Sequence, residues 1–208
     1  MVLDCLKAVL RGAVVISLAS VPARAEETPG RHGQNGEQGV ASSETTQCEL
    51  AAWLAKEAPP DLAVRAGPGV DYPALAAVPG PYTDGAETYF PEVKITGARD
   101  GWFRISEVIT DLYGGLDTDP LVTFSGEGWL PGNLLRTWLE SLHLLSEPSD
   151  DAPIAFTVAA ASSSTDDFQV ETLHACDGLW MELEGRYLGK TLRGWSRDVC
   201  ASQVTTCP

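Results

Sequence analysis

The stretch of sequence that decides the fold is Leu62-Ala63-Val64-Arg65-Ala66-Gly67-Pro68-Gly69-Val70-Asp71-Tyr72-Pro73. Side chains alternate in polarity and size over 62–66, which is the period-two pattern of a β-strand with one buried face. The Gly-Pro-Gly sequence at 67–69 ends the strand, because glycine and proline are residues of turns. This stretch therefore predicts a short strand followed by a tight loop.

The same combination of short apolar segments and turn residues continues to about residue 130. Further strands are predicted at 75–78, 92–96, 102–105, 121–124 and 128–130. Five or six short strands in about 75 residues are too few for a sandwich of ordinary size, and they favour a small, strongly bent β-barrel. The fold class that we predict is mostly β.

These segments together resemble the bacterial SH3 (SH3b) domain family over about residues 61–136. The first strand of that family reads Leu-x-Val-Arg-x-Gly-Pro, as 62–68 does here, and the likeness continues in register through 93–95, 100–105 and 126–130. The resemblance implies an SH3-like barrel and a binding role, since SH3b domains often bind cell-wall peptides or proteins. The acidic stretch 107–120 departs from the family pattern, because it is longer than the usual hairpin loop.

The last third of the chain is similar to a second, degenerate copy of the same unit. Residues 168–172 parallel 91–95, Asp177-Gly178 parallels Asp100-Gly101, and Gly194-Trp195 parallels Gly128-Trp129. Repetition of an irregular motif in the same order is better support than a single match. We expect two SH3-like barrels in tandem, with the first strand of the second copy at 154–160.

The amino terminus has the pattern of a cleaved secretory signal peptide. Lys7 and Arg11 precede an apolar run over 12–21, and Ala23-Arg24-Ala25 supplies small residues for signal peptidase. We expect a signal peptide over 1–25, cleavage after Ala25 and a periplasmic or secreted protein, the alternative being an uncleaved anchor. The run is about half of the roughly 20 residues that a bilayer span needs, and no other segment is long enough. The mature form has no predicted membrane span.

Composition and turn signals divide the mature chain further. Residues 26–46 hold hardly an apolar side chain and are predicted to be a disordered linker. The first SH3b-like domain is predicted over 47–146 with flanking short helices: a helical turn at 48–56, and a strand followed by a helix within 134–145. A boundary at 147–151 separates it from the degenerate domain over 147–208.

Four cysteines remain after cleavage, Cys48, Cys176, Cys200 and Cys207. An even number in an exported chain predicts two disulfides, for which three connectivities exist. Cys200 with Cys207 closes the shortest loop, which leaves Cys48 to pair with Cys176. Zinc is the rival interpretation, but no Cys-x2-Cys pair is present and the three histidines are scattered.

Catalytic and cofactor motifs are absent from the sequence, and we predict no cofactor, no metal and no enzymatic activity. His174 and Cys176 lie two residues apart and could form a dyad on one face of a strand, although a disulfide cysteine beside an incidental histidine is the simpler interpretation. The acidic residues Asp111, Asp117 and Asp119 could bind calcium, but they lack the spacing of a known calcium loop.

The charge of the chain restricts its partners. Twenty-nine acidic residues against 14 basic ones give a net charge of −15, and removal of 1–25 makes it −17. Nucleic acid is excluded as a partner, because its phosphates require clustered basic residues. We expect a non-catalytic binding module for a protein or peptide ligand, including a cell-wall component, that is cationic or neutral where it makes contact.

We place the binding surface on loops of the first barrel, because loops on a rigid scaffold are where recognition residues concentrate. The predicted ligand-binding residues are Tyr72, Tyr82, Asp111 and Tyr113. Two alternatives stay open, a small hydrolase that uses His174 as a base and a structural or inhibitory partner subunit of an envelope complex.

Overall fold

The structure is a computed structural model that describes residues 44–110, 120–158 and 168–204. Within these ranges the chain is mostly β, as the sequence predicts, and it has one 3-10 turn at Gly132–Leu134 and no α-helix. None of the described segments is a helix that could cross a bilayer. The predicted signal peptide and nearly all of the predicted linker lie outside the described residues. The strands in chain order are β1 (Thr46–Leu54), β2 (Leu62–Arg65), β3 (Ala74–Val78), β4 (Tyr82–Asp84), β5 (Glu87–Tyr89), β6 (Glu92–Arg99), β7 (Trp102–Thr110), β8 (Leu121–Pro131), β9 (Leu135–Arg136), β10 (Trp138–Leu139), β11 (His143–Leu145), β12 (Ile154–Thr157), β13 (Gln169–Asp177), β14 (Trp180–Tyr187), β15 (Lys190–Ser196) and β16 (Val199–Cys200).

The first sheet has seven strands in the order β3-β2-β8-β7-β6-β1-β9, and its centre is an antiparallel meander of β6, β7 and β8. The turn between β6 and β7 is Asp100-Gly101, whose φ angles are 54° and 75°. Two successive positive φ angles are those of a type I′ turn, whose twist suits antiparallel strands. Alternating residues of β6 and β7, such as Val93, Phe103 and Ile105, are at most 1% exposed and build the core.

The second sheet has five strands in the order β12-β11-β15-β14-β13. It contains a second antiparallel meander, β13 to β15, whose turns place Gly178, Leu188 and Gly189 at positive φ. Leu173 and Leu183 are fully buried on the inner face of this meander.

The two sheets share one arrangement of strands. In each, an antiparallel strand pair (β2 with β3, or β11 with β12) joins the last strand of a three-stranded meander, giving β3-β2-β8-β7-β6 and β12-β11-β15-β14-β13. The segments that the sequence pairs as repeats occupy equivalent strands: 91–95 includes the start of β6, and 168–172 includes the start of β13.

The first segment that was predicted to be helical is a strand. The sequence predicts a helical turn over 48–56, but 46–54 is β1, which pairs with β6 on one side and β9 on the other. Leu50, Trp53 and Leu54 fit helical spacing, yet the consecutive residues 52–55 are all buried. A run that is buried on both faces gives no period-two signal, and a short apolar run of this kind does not distinguish a strand from a helix.

The helix predicted within 134–145 is also absent. The 3-10 turn and three short strands cover this segment. β9 pairs with β1, β10 pairs with β16, and β11 pairs with both β12 and β15. Tertiary pairing thus overrides the local apolar pattern.

The strands predicted separately at 121–124 and 128–130 are one strand, β8. Its register against β7 shifts between Ile105 and Glu107, opposite Gly126, which has a φ of 132°. A β-bulge at this position explains why the sequence pattern is interrupted although the strand continues.

Covalent and backbone bonds connect the two sheets. The predicted disulfide between Cys48 and Cys176 is present and joins β1 to β13 across a sequence separation of 128 residues. Beside it, the Gly178 amide donates to the Gln47 carbonyl at 2.8 Å, and the Glu49 amide donates to the Gly178 carbonyl at 3.1 Å. Cys200 is also in a disulfide, and Cys207, its predicted partner, lies outside the described residues.

The segment after β16 returns to the first sheet. The Gln203 side chain accepts a hydrogen bond from the Phe90 amide at 2.9 Å and donates one to the Phe90 carbonyl at 2.8 Å. The Thr137 hydroxyl donates to the Cys200 carbonyl at 2.8 Å, and the Trp138 indole donates to the Ser202 carbonyl at 2.8 Å. Residues from both sheets therefore share one hydrophobic core.

Candidate functional site

Tyr72 packs over the loop that follows β2. The loop closes on itself, because the Ala66 amide donates to the Pro73 carbonyl at 2.9 Å and Arg65 Nη1 donates to the Tyr72 carbonyl at 2.9 Å. A Cβ atom added at Gly67 would lie 2.3 Å from the Tyr72 ring, so the absence of a side chain at Gly67 allows the ring to pack this close to the loop. Tyr72 is still 43% exposed and is accessible to a partner.

Tyr82 lies on a separate element, the two-stranded sheet of β4 and β5. It pairs with Tyr89 across the hairpin, and the ring centroids are 5.6 Å apart. Tyr72 and Tyr82 thus belong to different elements. Asp111 and Tyr113, the other two predicted ligand-binding residues, lie outside the described residues, as do Asp117 and Asp119.

A groove of about 480 Å³ runs between the two sheets, and we call it the inter-sheet groove. Its volume is in the range of roughly 300–1,000 Å³ that is usual for small-ligand pockets. It is lined by Leu62, Ala63, Arg65, Val70, Gly101, Trp102, Pro131, Asn133, Leu134, Thr172, Leu173 and His174. The lining residues numbered between 62 and 134 belong to the first sheet and its loops, and those at 172–174 belong to β13 of the second sheet.

Close backbone packing holds the two walls of the groove together. A Cβ atom at Gly132 would lie 2.0 Å from the Leu173 carbonyl oxygen, so only glycine allows the 3-10 turn to approach β13 this closely. The Gly132 amide donates to the Gly101 carbonyl at 2.8 Å, which connects the turn to the β6–β7 hairpin.

Arg136 stabilises the 3-10 turn through hydrogen bonds to backbone carbonyls at its end. Its Nη1 donates to the carbonyls of Asn133 and Leu135, both at 2.9 Å, and its Nη2 lies 3.5 Å from a carboxylate oxygen of Glu57. Burial lowers the pKa of Arg136 from its ordinary value, and the carboxylates of Glu57 and Glu171 oppose that effect. An arginine stays charged through such a shift, so these hydrogen bonds persist at physiological pH.

The groove differs in charge from the rest of the molecule. No aspartate or glutamate lines it, although the chain has a net charge of −15, and its ionisable residues are Arg65 and His174. Most of the remaining lining is apolar, including Val70, Trp102 and Leu173. The groove is therefore an apolar site with basic groups in an acidic protein.

His174 and Cys176 do not form a thiol-imidazole dyad, because Cys176 is bonded to Cys48. The Nε2 atom of His174 lies 3.5 Å from a carboxylate oxygen of Glu184, is shielded from solvent and has no hydrogen-bond partner in the described ranges. Cys176 is completely buried, whereas His174 lines the groove.

Metal ligands are not clustered in this part of the chain: the described residues contain no group of three or more histidine, cysteine or acidic side chains that could hold an ion. On the exposed surface, the hydrogen bonds from the Arg193 guanidinium to Glu182 raise the pKa of the arginine.

A second groove of about 730 Å³ lies along β1 and β6, where Cys48, Lys94 and Leu179 are among its lining. Unlike the inter-sheet groove, it includes a carboxylate, that of Glu49.

The sequence predicts a binding surface on the loops after Arg65 and around Tyr72, Tyr82, Asp111 and Tyr113, and it gives no indication of the β13 wall. Leu173 and Thr172 are more than a hundred positions from Val70, and no local pattern places them beside it. The only available signal was the pairing of 168–172 with 91–95 as repeats, which predicts a strand but not its neighbour across the groove.

Comparison with known proteins adds no assignment, because no family model, curated protein or solved structure matches this chain.

Proposed function

We propose that the chain is an exported, non-catalytic binding module made of two tandem SH3-like units, which holds a peptide or protein segment in the inter-sheet groove. The proposed location is the periplasm or the cell exterior, and a cell-wall peptide is among the proposed ligands. The shared strand order of the two sheets supports the tandem units, and the Leu-x-Val-Arg-x-Gly-Pro opening supports the family resemblance.

The observation that carries the binding role is the groove itself. It combines an apolar lining with a few polar groups, a combination that is typical of ligand sites. The loop after β2 contributes Val70, which is 69% exposed, and Tyr72 lies two residues further along the same loop. Val70 also lines the groove, so the apolar lining of the groove continues onto this exposed loop.

The test is capture of a partner by the mature chain from a periplasmic extract of the source organism, followed by substitution in the groove. Val70→Glu places a charge on the apolar wall at an exposed position, and we expect it to reduce capture at least tenfold without loss of thermal stability. Leu179→Glu is the matched control, since Leu179 is 60% exposed and lines the second groove. Equal capture by Val70→Glu and the unmodified chain would contradict the proposal.

A hydrolase is the second candidate, because His174 Nε2 lacks a hydrogen-bond partner in the described ranges and lies near Glu184 at the groove. Hydrolysis of a peptide or ester by the purified chain that disappears in His174→Ala would favour this function.

The third candidate is a structural or inhibitory subunit. Co-purification of a defined protein, in a complex that Val70→Glu leaves intact, would favour this function.

A further inference from the structure

We propose that the inter-sheet groove recognises a carboxylate on its ligand, most simply the free carboxyl terminus of an apolar peptide, and that Arg65 is the residue that binds it. This inference rests on the proposed binding function and specifies the chemistry of the ligand. The net charge of the chain by itself predicts a cationic or neutral contact, whereas the lining of the groove, which has Arg65 and no carboxylate, favours an anionic group at this position.

Arg65 has N–H donors that are not used within the described residues. Every other arginine in the described ranges has an ion pair or lies over an aromatic ring; these are Arg99 over Trp129, Arg104 with Glu127, Arg136 with Glu57, Arg186 with Glu171, Arg193 with Glu182 and Arg197 with Asp150. Arg65 has only the bond from Nη1 to the Tyr72 carbonyl. A guanidinium has five N–H donors, so most of its donors remain available.

Arg65 lines the groove, and none of the lining residues carries a carboxylate. Because no carboxylate in the lining neutralises it, the Arg65 guanidinium is available to an anionic group of a ligand. Leu62, Val70 and Trp102 line the same groove, so an apolar ligand that packs against them would shield a charge-assisted bond to Arg65 from water and make it stronger than one at an open surface.

The negative charge of the protein restricts the type of anion that can bind. The acidic surface repels polyanions at long range, and for a ligand with many negative charges this repulsion would offset the attraction to Arg65. A single carboxylate on an apolar chain avoids that repulsion and matches both the fork of the guanidinium and the apolar walls. Capture of a terminal carboxylate is a known mode of peptide recognition. Asn133, an exposed residue of the lining, adds a side-chain amide that can donate to the same group.

The experiment measures binding of the full chain to two N-acetylated trileucine peptides, one with a free carboxyl terminus and one with a carboxamide, by isothermal titration calorimetry. We expect the free acid to bind about tenfold more tightly or better, the difference that a charged hydrogen-bonded pair gives over a neutral one. Arg65→Gln should weaken binding of the acid to the level of the amide. Arg65→Lys should fall between them, because lysine keeps the charge but not the fork.

Arg186→Gln is the matched control. It removes the same charge at an exposed arginine outside the groove, paired with Glu171, and should leave both affinities unchanged. A purely structural Arg65, needed only to close the loop through Tyr72, would make Arg65→Gln weaken the acid and the amide by the same factor. That result would overturn the proposal, and so would displacement of the peptide by inorganic polyphosphate.

Failure of this inference is distinguishable from failure of the proposed function. Equal binding of acid and amide, both sensitive to Val70→Glu, would reject the carboxylate and keep the groove. Binding of neither peptide would also reject the carboxylate, and capture of a partner that Val70→Glu abolishes would then still support the binding function.

Discussion

Individual residues at positive φ show where the chain departs from its most favourable backbone conformation. Three non-glycine residues have positive φ in the described ranges, Asp61, Asp100 and Leu188. Aspartate tolerates this region because its short side chain can bond to the local backbone, whereas leucine does not. Leu188 has a φ of 47° and is 75% exposed. Leucine is therefore unfavourable for the backbone conformation at this position and buries little apolar surface in return.

Replacement of Leu188 by asparagine should therefore stabilise the protein by about 1 kcal/mol, because Asn-Gly is the preferred pair for a type I′ turn. Urea unfolding measures this as a higher midpoint with an unchanged slope. Leu188→Val is the opposite control, since β-branching makes positive φ more costly and should lower the midpoint. Destabilisation by Leu188→Asn would show that the side chain makes a contact that its exposure does not indicate.

At the scale of elements, the contact between the 3-10 turn and β13 joins the two sheets. It depends on the missing side chain of Gly132, which lets the turn meet the Leu173 carbonyl. The neighbouring atom is backbone, so a larger residue cannot be accommodated by moving a side chain.

Gly132→Ala should destabilise the protein by about 3 kcal/mol, at the upper end of the usual overpacking cost. It should also weaken ligand binding, because the 3-10 turn and β13 are both walls of the groove. The control is Gly80→Ala, where an added Cβ meets nothing within 4 Å and φ is not positive; that change should be neutral or stabilise by up to about 1 kcal/mol. Chemical denaturation of both variants tests the contrast, and equal stabilities would contradict it.

The elements also show what the sequence could predict. Strands with alternating burial and defined turns, such as β2, β6 and β7, were predicted correctly because their signals are local. β1 was mistaken for a helix, since consecutive burial removes the period-two pattern. The groove could not be predicted, because its β13 wall depends on packing between segments that are distant in sequence, and only the loop after Arg65 had a local signal.

For the whole molecule, the disulfide between Cys48 and Cys176 closes the longest covalent loop in the described ranges. In the chain-entropy model, a loop of this length stabilises the folded state by about 5 kcal/mol. The double variant Cys48→Ala/Cys176→Ala should therefore lose about 3–5 kcal/mol of unfolding free energy. A loss below about 1 kcal/mol would show that the sheets are held together mainly by their shared core.

The oxidation state of the mature chain follows from the predicted export. We expect Cys48, Cys176, Cys200 and Cys207 all to resist thiol labelling in the denatured, unreduced protein, with Cys200 bonded to Cys207. A labelled thiol would contradict this prediction.

The predicted cleavage after Ala25 places the mature amino terminus at Glu26. Intact-mass measurement of the same sample should give a mass without residues 1–25, and a mass that includes them would contradict the prediction.

The return of Gln203 to Phe90 has a consequence for how the protein acquires its structure in time. Synthesis delivers the chain from its amino terminus, so residues 46–136 emerge long before Gln203 can contact Phe90 or β13 can cover β1 and the 3-10 turn. Contacts between residues so distant in sequence slow folding. Until those contacts form, the apolar side chains of residues 46–136 that share the core with β13 lack their partners, and transiently exposed apolar surface of this kind promotes aggregation.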